Sequence, residues 1–188
     1  MKHKKVNELM IPLSEYATVK ENDTLEKAIK TLKKSQTGPS SHTYPHRAVL
    51  VYDKNGKITG KVSSLDVLRA LEPKYCQFGH TDQIARMGLS RFGLSHDFLH
   101  SLVENYCLWE DDLESLIKTA SKLKVKEIMH SPHEGEYVNE DMPVSEAIHQ
   151  FILGHHQSLL VLKNENVIGI LRLTDIFKLV CDLMINEA

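Results

Sequence analysis

The chain has 188 residues, with 23 Lys and Arg against 25 Asp and Glu, 41% hydrophobic residues and three cysteines. A chain of this length can bury roughly 70% of its unfolded surface without disulfide staples, and its near-average composition excludes wholesale disorder, a collagen-like repeat and a membrane bundle. A net charge of -2 leaves no excess of positive charge to hold a nucleic-acid backbone by counterion release.

The basic start, Met1 to Glu8, lacks the apolar segment of a secretory signal, so the cytoplasm is the expected location. Taken in chain order, Ala17-Thr18-Val19 predicts a short strand, and Asp23 with Glu26 is a capping-box signal for a helix running to about Lys34. Thr37 to Pro45 is a loop by composition. Ala48 to Tyr52 and Lys57 to Val62 are apolar runs joined by Asp53-Lys54-Asn55-Gly56, and Asn-Gly between such runs signals a hairpin. A helix follows Ser63. Residues 73–124 then show helical spacing at Asp82 to Met87, His96 to Cys107 and Asp111 to Leu123, with Gly88 and Gly93 as breaks. Phe92, Leu94, Phe98, Leu99, Leu102, Tyr106, Leu108 and Trp109 in this insert need cover, from the rest of the chain or from a second subunit. Further on, Glu136-Tyr137-Val138 predicts a strand, Asp141 a cap and Pro143 the first turn of a helix. Leu159 to Leu162 and Val167 to Leu171 predict a second hairpin across Lys163 to Asn166. Both of those apolar runs are far shorter than the roughly 20 residues a membrane helix needs.

These elements repeat. Val6-Asn7-Glu8-Leu9-Met10 matches Val125-Lys126-Glu127-Ile128-Met129 at an offset of 119, which also pairs Glu21 with Glu140, Leu25 with Val144, Ala28 with Ala147 and Ile29 with Ile148. After the first copy's longer loop, Gly60 pairs with Gly169 and Asp66 with Asp175 at an offset of 109. Apolar strands flanked by helices indicate a covered sheet, hence an α/β arrangement.

Together the Val-x-Glu-[Leu/Ile]-Met openings, the hairpins and the endings Gly60-Lys61-Val62-Ser63-Ser64-Leu65-Asp66 and Gly169-Ile170-Leu171-Arg172-Leu173-Thr174-Asp175 resemble a tandem pair of CBS domains, also called a Bateman module. The resemblance implies two β-α-β-β-α repeats packed as a pseudo-two-fold pair, residues 1–72 and 125–188, with an all-helical insert at 73–124. It further implies a non-catalytic regulatory protein that binds an adenosine-containing ligand, AMP, ADP, ATP or S-adenosylmethionine, between its repeats. Such a protein would act through a homodimer or a regulated partner in trans, without nucleic acid or membrane. A ligand-independent dimerisation or scaffold module working through the insert is the alternative.

Ser63-x-x-Asp66 can serve as an ordinary helix N-cap with an acid in the first turn. It can equally offer helix amides to phosphate and a carboxylate to a ribose diol, the roles such residues have in similar proteins. Arg172 stands where Ser or Thr is usual; it can pair with phosphate, or point at solvent or at an acidic neighbour, with Asp175 kept for ribose. His46-Arg47 is either a phosphate contact, as in some similar sensors, or part of a solvated loop mouth. The strands holding Thr18, Val19, Tyr137 and Val138 correspond to those lining the base pocket in the family, although the valines also suit a core. The clustered histidines His130, His133, His149, His155 and His156 lack the spacing of a metal site and are expected to be solvated. Neither a nucleophile elbow nor a complete phosphate loop is present, and Cys107 lies about 10 Å along a helix from His100. Cys76, Cys107 and Cys181 form no disulfide framework or Cys-x-x-Cys pair.

Overall fold

The structure, a computed structural model, describes residues 4–37, 44–78 and 95–186. The expected helix at Asp82 to Met87, with Gly88, Phe92, Gly93, Leu94 and most of the loop before Tyr44, lies outside the described residues. The strands are β1 (Ile11–Pro12), β2 (Thr18–Lys20), β3 (Ala48–Tyr52), β4 (Ile58–Ser63), β5 (Tyr137–Asn139), β6 (Ser158–Lys163) and β7 (Asn166–Arg172). The helices are α1 (Leu25–Thr37), α2 (Ser64–Leu71), α3 (His96–Asn105), α4 (Leu113–Ala120), α5 (Val125–Ile128), α6 (Val144–Gly154) and α7 (Leu173–Asn186).

One sheet has the order β2-β3-β4 and the other β1-β7-β6-β5. Within each, the short first strand runs parallel to the next, Thr18 beside Leu50 and Tyr137 beside Leu160, and a hairpin returns antiparallel. Alternation along β4 puts Val62 in the core under α1 and α2, and leaves Lys61 and Ser63 on the opposite face. Each repeat therefore has its own core, one around Val49, Val51 and Leu25 and the other around Leu159, Val161 and Phe151. A third cluster of Ile11, Tyr16, Leu50, Ile58, Leu160 and Ile170 lies between the sheets.

The two repeats exchange their openings. The Val6 and Asn7 amides donate to the Met142 and Glu140 carbonyls, both at 3.0 Å, and the Val125 and Lys126 amides donate to the Asp23 and Glu21 carbonyls, both at 2.9 Å. Val6 is thus buried in the second repeat's core and Val125 in the first's. β1 then joins the second sheet, Ile11 opposite Ile170, while His130 bridges to Lys61 at the edge of the first. The repeated glycines exist for this crossing. A Cβ on Gly169 would stand 2.5 Å from the Ile11 carbonyl oxygen, and one on Gly60 would stand 2.9 Å from that of His130.

Two cap expectations are corrected. Asp23 spends its carboxylate on the Lys20 amide (2.9 Å) and the Lys27 ammonium (2.8 Å), and the neighbouring Thr24 hydroxyl accepts the Lys27 amide at 3.3 Å. Asp141 reaches back to the Lys5 ammonium at 2.7 Å, so α6 starts after Pro143 without a side-chain cap. Both acids serve the turn or the crossing segment before the helix, and α1 runs on to Thr37. The insert's described part is helical. Leu116 and Ala120 of α4 are buried, with α4 packed against α2. Leu65 and Leu68 of α2 and Leu113 and Ile117 of α4 remain exposed, as do Phe98, Tyr106 and Trp109. No helix among the described residues is long and apolar enough to cross a membrane.

Candidate ligand cleft

Each repeat ends its hairpin at a strand-to-helix junction, and the two junctions are built differently. At the first, the Asp66 carboxylate accepts from the Ser63 amide (2.8 Å) and the Ser63 hydroxyl (2.6 Å), and the Ser63 oxygen in turn caps the Asp66 amide at 3.3 Å. Both bonds to the carboxylate fall on Oδ2, so among the described residues Oδ1 meets no donor. Asp66 is only 9% exposed, held by its own helix turn rather than by a distant cation. This is a formed capping box with one carboxylate oxygen still able to accept.

At the second junction Arg172 replaces the serine and consumes its aspartate. Its Nε and Nη2 donate to the two Asp175 oxygens, both at 2.6 Å, and Nη1 donates to the Tyr44 carbonyl of the first repeat at 2.9 Å. Arg172 is 6% exposed, so the fork is used up within the protein. Beside it, Tyr16 and His46 are both buried, with ring centroids 4.2 Å apart and planes within 10°. Burial pushes the Tyr16 hydroxyl up to about 12, Asp175 adding to that and Arg172 opposing it. This end of the inter-sheet space is filled by Tyr16, His46, Arg172 and Asp175.

The other end has no such filling. Counting by 119 places Gly135 where the first repeat has Tyr16, and counting by 110 places His156 where it has His46. The pairing survives in space, for a Cβ on Gly135 would lie 4.0 Å from His156 Nε2. In place of the aromatic stack stands a charged cluster. Glu136, 6% exposed, accepts from the Lys61 ammonium at 2.6 Å and meets His130 Nε2 at 2.5 Å. Burial alone would push the Glu136 carboxyl up, but hydrogen bonds from His130 and Lys61 outweigh it and hold the group down at about 2. Burial pushes the His156 imidazole down from its ordinary value, with Glu136, Lys61 and His130 all close enough to act on it. On the α6 side of the same turn a groove of about 690 Å³ is bordered by Gly135, His149, Gln150, Gly154 and His156; neither Ser63 nor Asp66 lines it.

The remaining sequence candidates divide by face. Val19 and Val138 turn into the two repeat cores, so only their backbone is available to a ligand. Tyr137 packs against the inter-sheet cluster and Thr18 is half-buried on β2. Arg47 is exposed, and its carbonyl takes the Ser64 amide at 3.3 Å. Sequence reasoning passed over Tyr16, Lys61 and the buried role of Glu136. The signal was present in the register, where Lys61 answers to Ile170 and Glu136 to Ala17. Among the described residues no group of three or more His, Cys, Asp or Glu side chains could hold a metal ion.

The family model described as CBS domain matches residues 6–73 and 125–182. Among solved structures, a CBS domain-containing protein of unknown function from Bacillus anthracis is 18% identical, with a TM-score of 0.61, 95% of this chain and 94% of that one being covered. CBSX2 in complex with AMP is 16% identical with a TM-score of 0.58, over 96% of this chain and 98% of that one. The cytosolic domain of the Mg2+ channel MgtE in complex with ATP is 19% identical with a TM-score of 0.55, over 95% of this chain and 49% of that one. No curated protein matches the chain. The matched blocks coincide with the two exchanged repeats, and the chain belongs to the CBS domain family.

Proposed function

We propose that the protein is a non-catalytic regulatory module that binds an adenosine-containing ligand at the Ser63–Asp66 end of the space between its repeats. The observation that carries this reading is the contrast of the two junctions: Asp66 keeps an oxygen for a ribose diol, whereas both oxygens of Asp175 are held by Arg172. Ser63 stands at the head of α2, and its hydroxyl, which donates to Asp66 in the ligand-free cleft, would turn to a phosphate placed at the helix start. The AMP and ATP complexes of CBSX2 and MgtE support the ligand class. AMP, ADP, ATP and S-adenosylmethionine all remain within it. Signalling then passes to a homodimer or to a partner in trans, in the cytoplasm.

Calorimetric titration of the wild-type chain and of Asp66→Ala tests this. Hydrogen bonds to a charged group contribute roughly 1.5 to 3 kcal/mol, so the variant should bind about ten- to a hundredfold more weakly. Its capping box goes with the carboxylate, so the variant must first be shown to be folded at the assay temperature. A folded variant with unchanged affinity would remove Asp66 from the site. A second reading, a ligand-independent dimerisation module, is favoured by the exposed apolar residues Leu65, Leu68, Leu113 and Ile117 on the packed pair α2 and α4. A dimer whose melting temperature no adenosine ligand shifts would establish it.

A further inference from the structure

The cluster of Lys61, Glu136 and His130 has a built-in control in the other half of the molecule. The positions related to these three by the repeat are Ile170, Ala17 and Ile11, all buried and apolar, Ile11 and Ile170 packing between the sheets and Ala17 in the first repeat's core, so the equivalent crossing of β1 over β7 is made without charge at these positions. A buried ion pair is a poor source of stability when an apolar set of similar shape fits the same place. The charges at these three positions are thus not part of the repeated framework of the crossing. Their position suits something else. Lys61 shares the inter-sheet face of β4 with Ser63, two residues along, which is about 6.6 Å and close to the reach of an extended lysine side chain. Around it, the Glu136 carboxylate faces Lys61 and His130, with His156 close by and the His133 ring 5.9 Å from that of His130.

Resting on the adenosine-ligand reading above, we propose that Lys61 is the phosphate-selecting residue of the cleft: it leaves Glu136 for the phosphate of a bound nucleotide, with His130 remaining on Glu136. The cleft then selects AMP-like ligands over adenosine and over the cationic S-adenosylmethionine. Because Lys61 belongs to the first repeat and Glu136 to the second, the exchange also loosens one tie between them.

The test is calorimetry with adenosine, AMP and S-adenosylmethionine on three proteins: wild type, Lys61→Gln, and the triple variant Lys61→Ile, His130→Ile, Glu136→Ala, which copies the apolar trio of the other half. The wild type should prefer AMP to adenosine by about tenfold, the lower end of the worth of one charge-assisted contact, because Lys61 gives up its contact with Glu136 to make it. Both variants should bind adenosine as the wild type does and lose most of that preference. The triple variant should remain folded. If the wild type binds AMP and adenosine equally, or a folded variant keeps the wild-type ratio, Lys61 is not the selector and the adenosine reading stands without it. If the wild type binds none of the three, nor ADP or ATP in the same assay, the adenosine reading itself fails and this proposal with it. Should the triple variant not fold, the control offered by the other half is lost and the proposal is overturned.

Discussion

Removing only the negative member of the inter-repeat cluster should be far more harmful than removing all three. Glu136→Gln leaves the Lys61 ammonium, whose side chain is 14% exposed, beside a neutral amide in a place from which water is largely excluded. The shift of the Glu136 carboxyl from 4.5 to about 2 corresponds to about 3 kcal/mol of stabilisation of its charged form. Breaking one side of a buried pair independently suggests roughly 3 to 5 kcal/mol. For a chain of this size 1 kcal/mol moves the melting temperature by roughly 2 to 4 °C, so the variant should melt roughly 6 to 12 °C lower near pH 7. A depressed carboxyl stabilises the fold fully above its unfolded value of 4.5, and that contribution disappears as pH falls through the folded value near 2. The gap between wild type and variant should therefore shrink by about half from pH 5 to pH 3, a window below ordinary histidine titration. Urea unfolding at the two pH values measures it. A gap below about 1 kcal/mol at pH 5, or one that does not change with pH, would refute the account of Glu136 as a buried charge held by Lys61 and His130.

Calorimetry should find close to one nucleotide per chain, and Asp175→Ala should leave nucleotide affinity within about twofold of wild type, because Arg172, Tyr16 and His46 already fill that end; two equal sites would contradict this. Leu68→Asp combined with Ile117→Asp should convert a dimer to a monomer in sedimentation equilibrium, since both residues are exposed on the packed α2 and α4 pair. A wild-type chain that is already monomeric at tens of micromolar would defeat the dimer expectation.

The sequence displays its repeats openly because apolar periodicity and hairpin turns are local signals. Val6 and Val125 are recognisable as counterparts, yet nothing local tells that each is buried in the other's repeat, a long-range pairing across more than a hundred residues. The cap of α1 is ambiguous for the same kind of reason: Asp23 and Thr24 are both good caps, and the choice is decided by a Lys20 amide that the preceding turn brings within 2.9 Å of Asp23. At the candidate site the Ser63-x-x-Asp66 spacing shows directly as a capping box, since three residues along a helix start suffice to make it. Spacing alone allows Arg172 to meet phosphate, solvent or an acid, because the outcome depends on a bidentate fit to Asp175. The stacking of His46 on Tyr16, thirty positions earlier, is a long-range contact that the local His46-Arg47 pattern does not encode. Lys61 and Glu136 become conspicuous only once the repeat register is used to ask which charged residue stands where its counterpart is apolar.

The exchanged openings also determine what the chain can survive mechanically. A cut in the insert would not release two independent domains, because the front piece would keep Val6 and β1 without the core and sheet they complete, and the rear piece would keep Val125 and His130 in the same condition. The halves should instead behave as complementary fragments, unstructured alone and folding on mixing, and the intact chain should unfold in one cooperative transition rather than two. The same weave prevents the repeats from swinging apart like jaws, since any wide opening would have to strip β1 from β7 and His130 from β4 at once. Whatever passes between the halves must then travel as a small twist of two sheets that stay laced together.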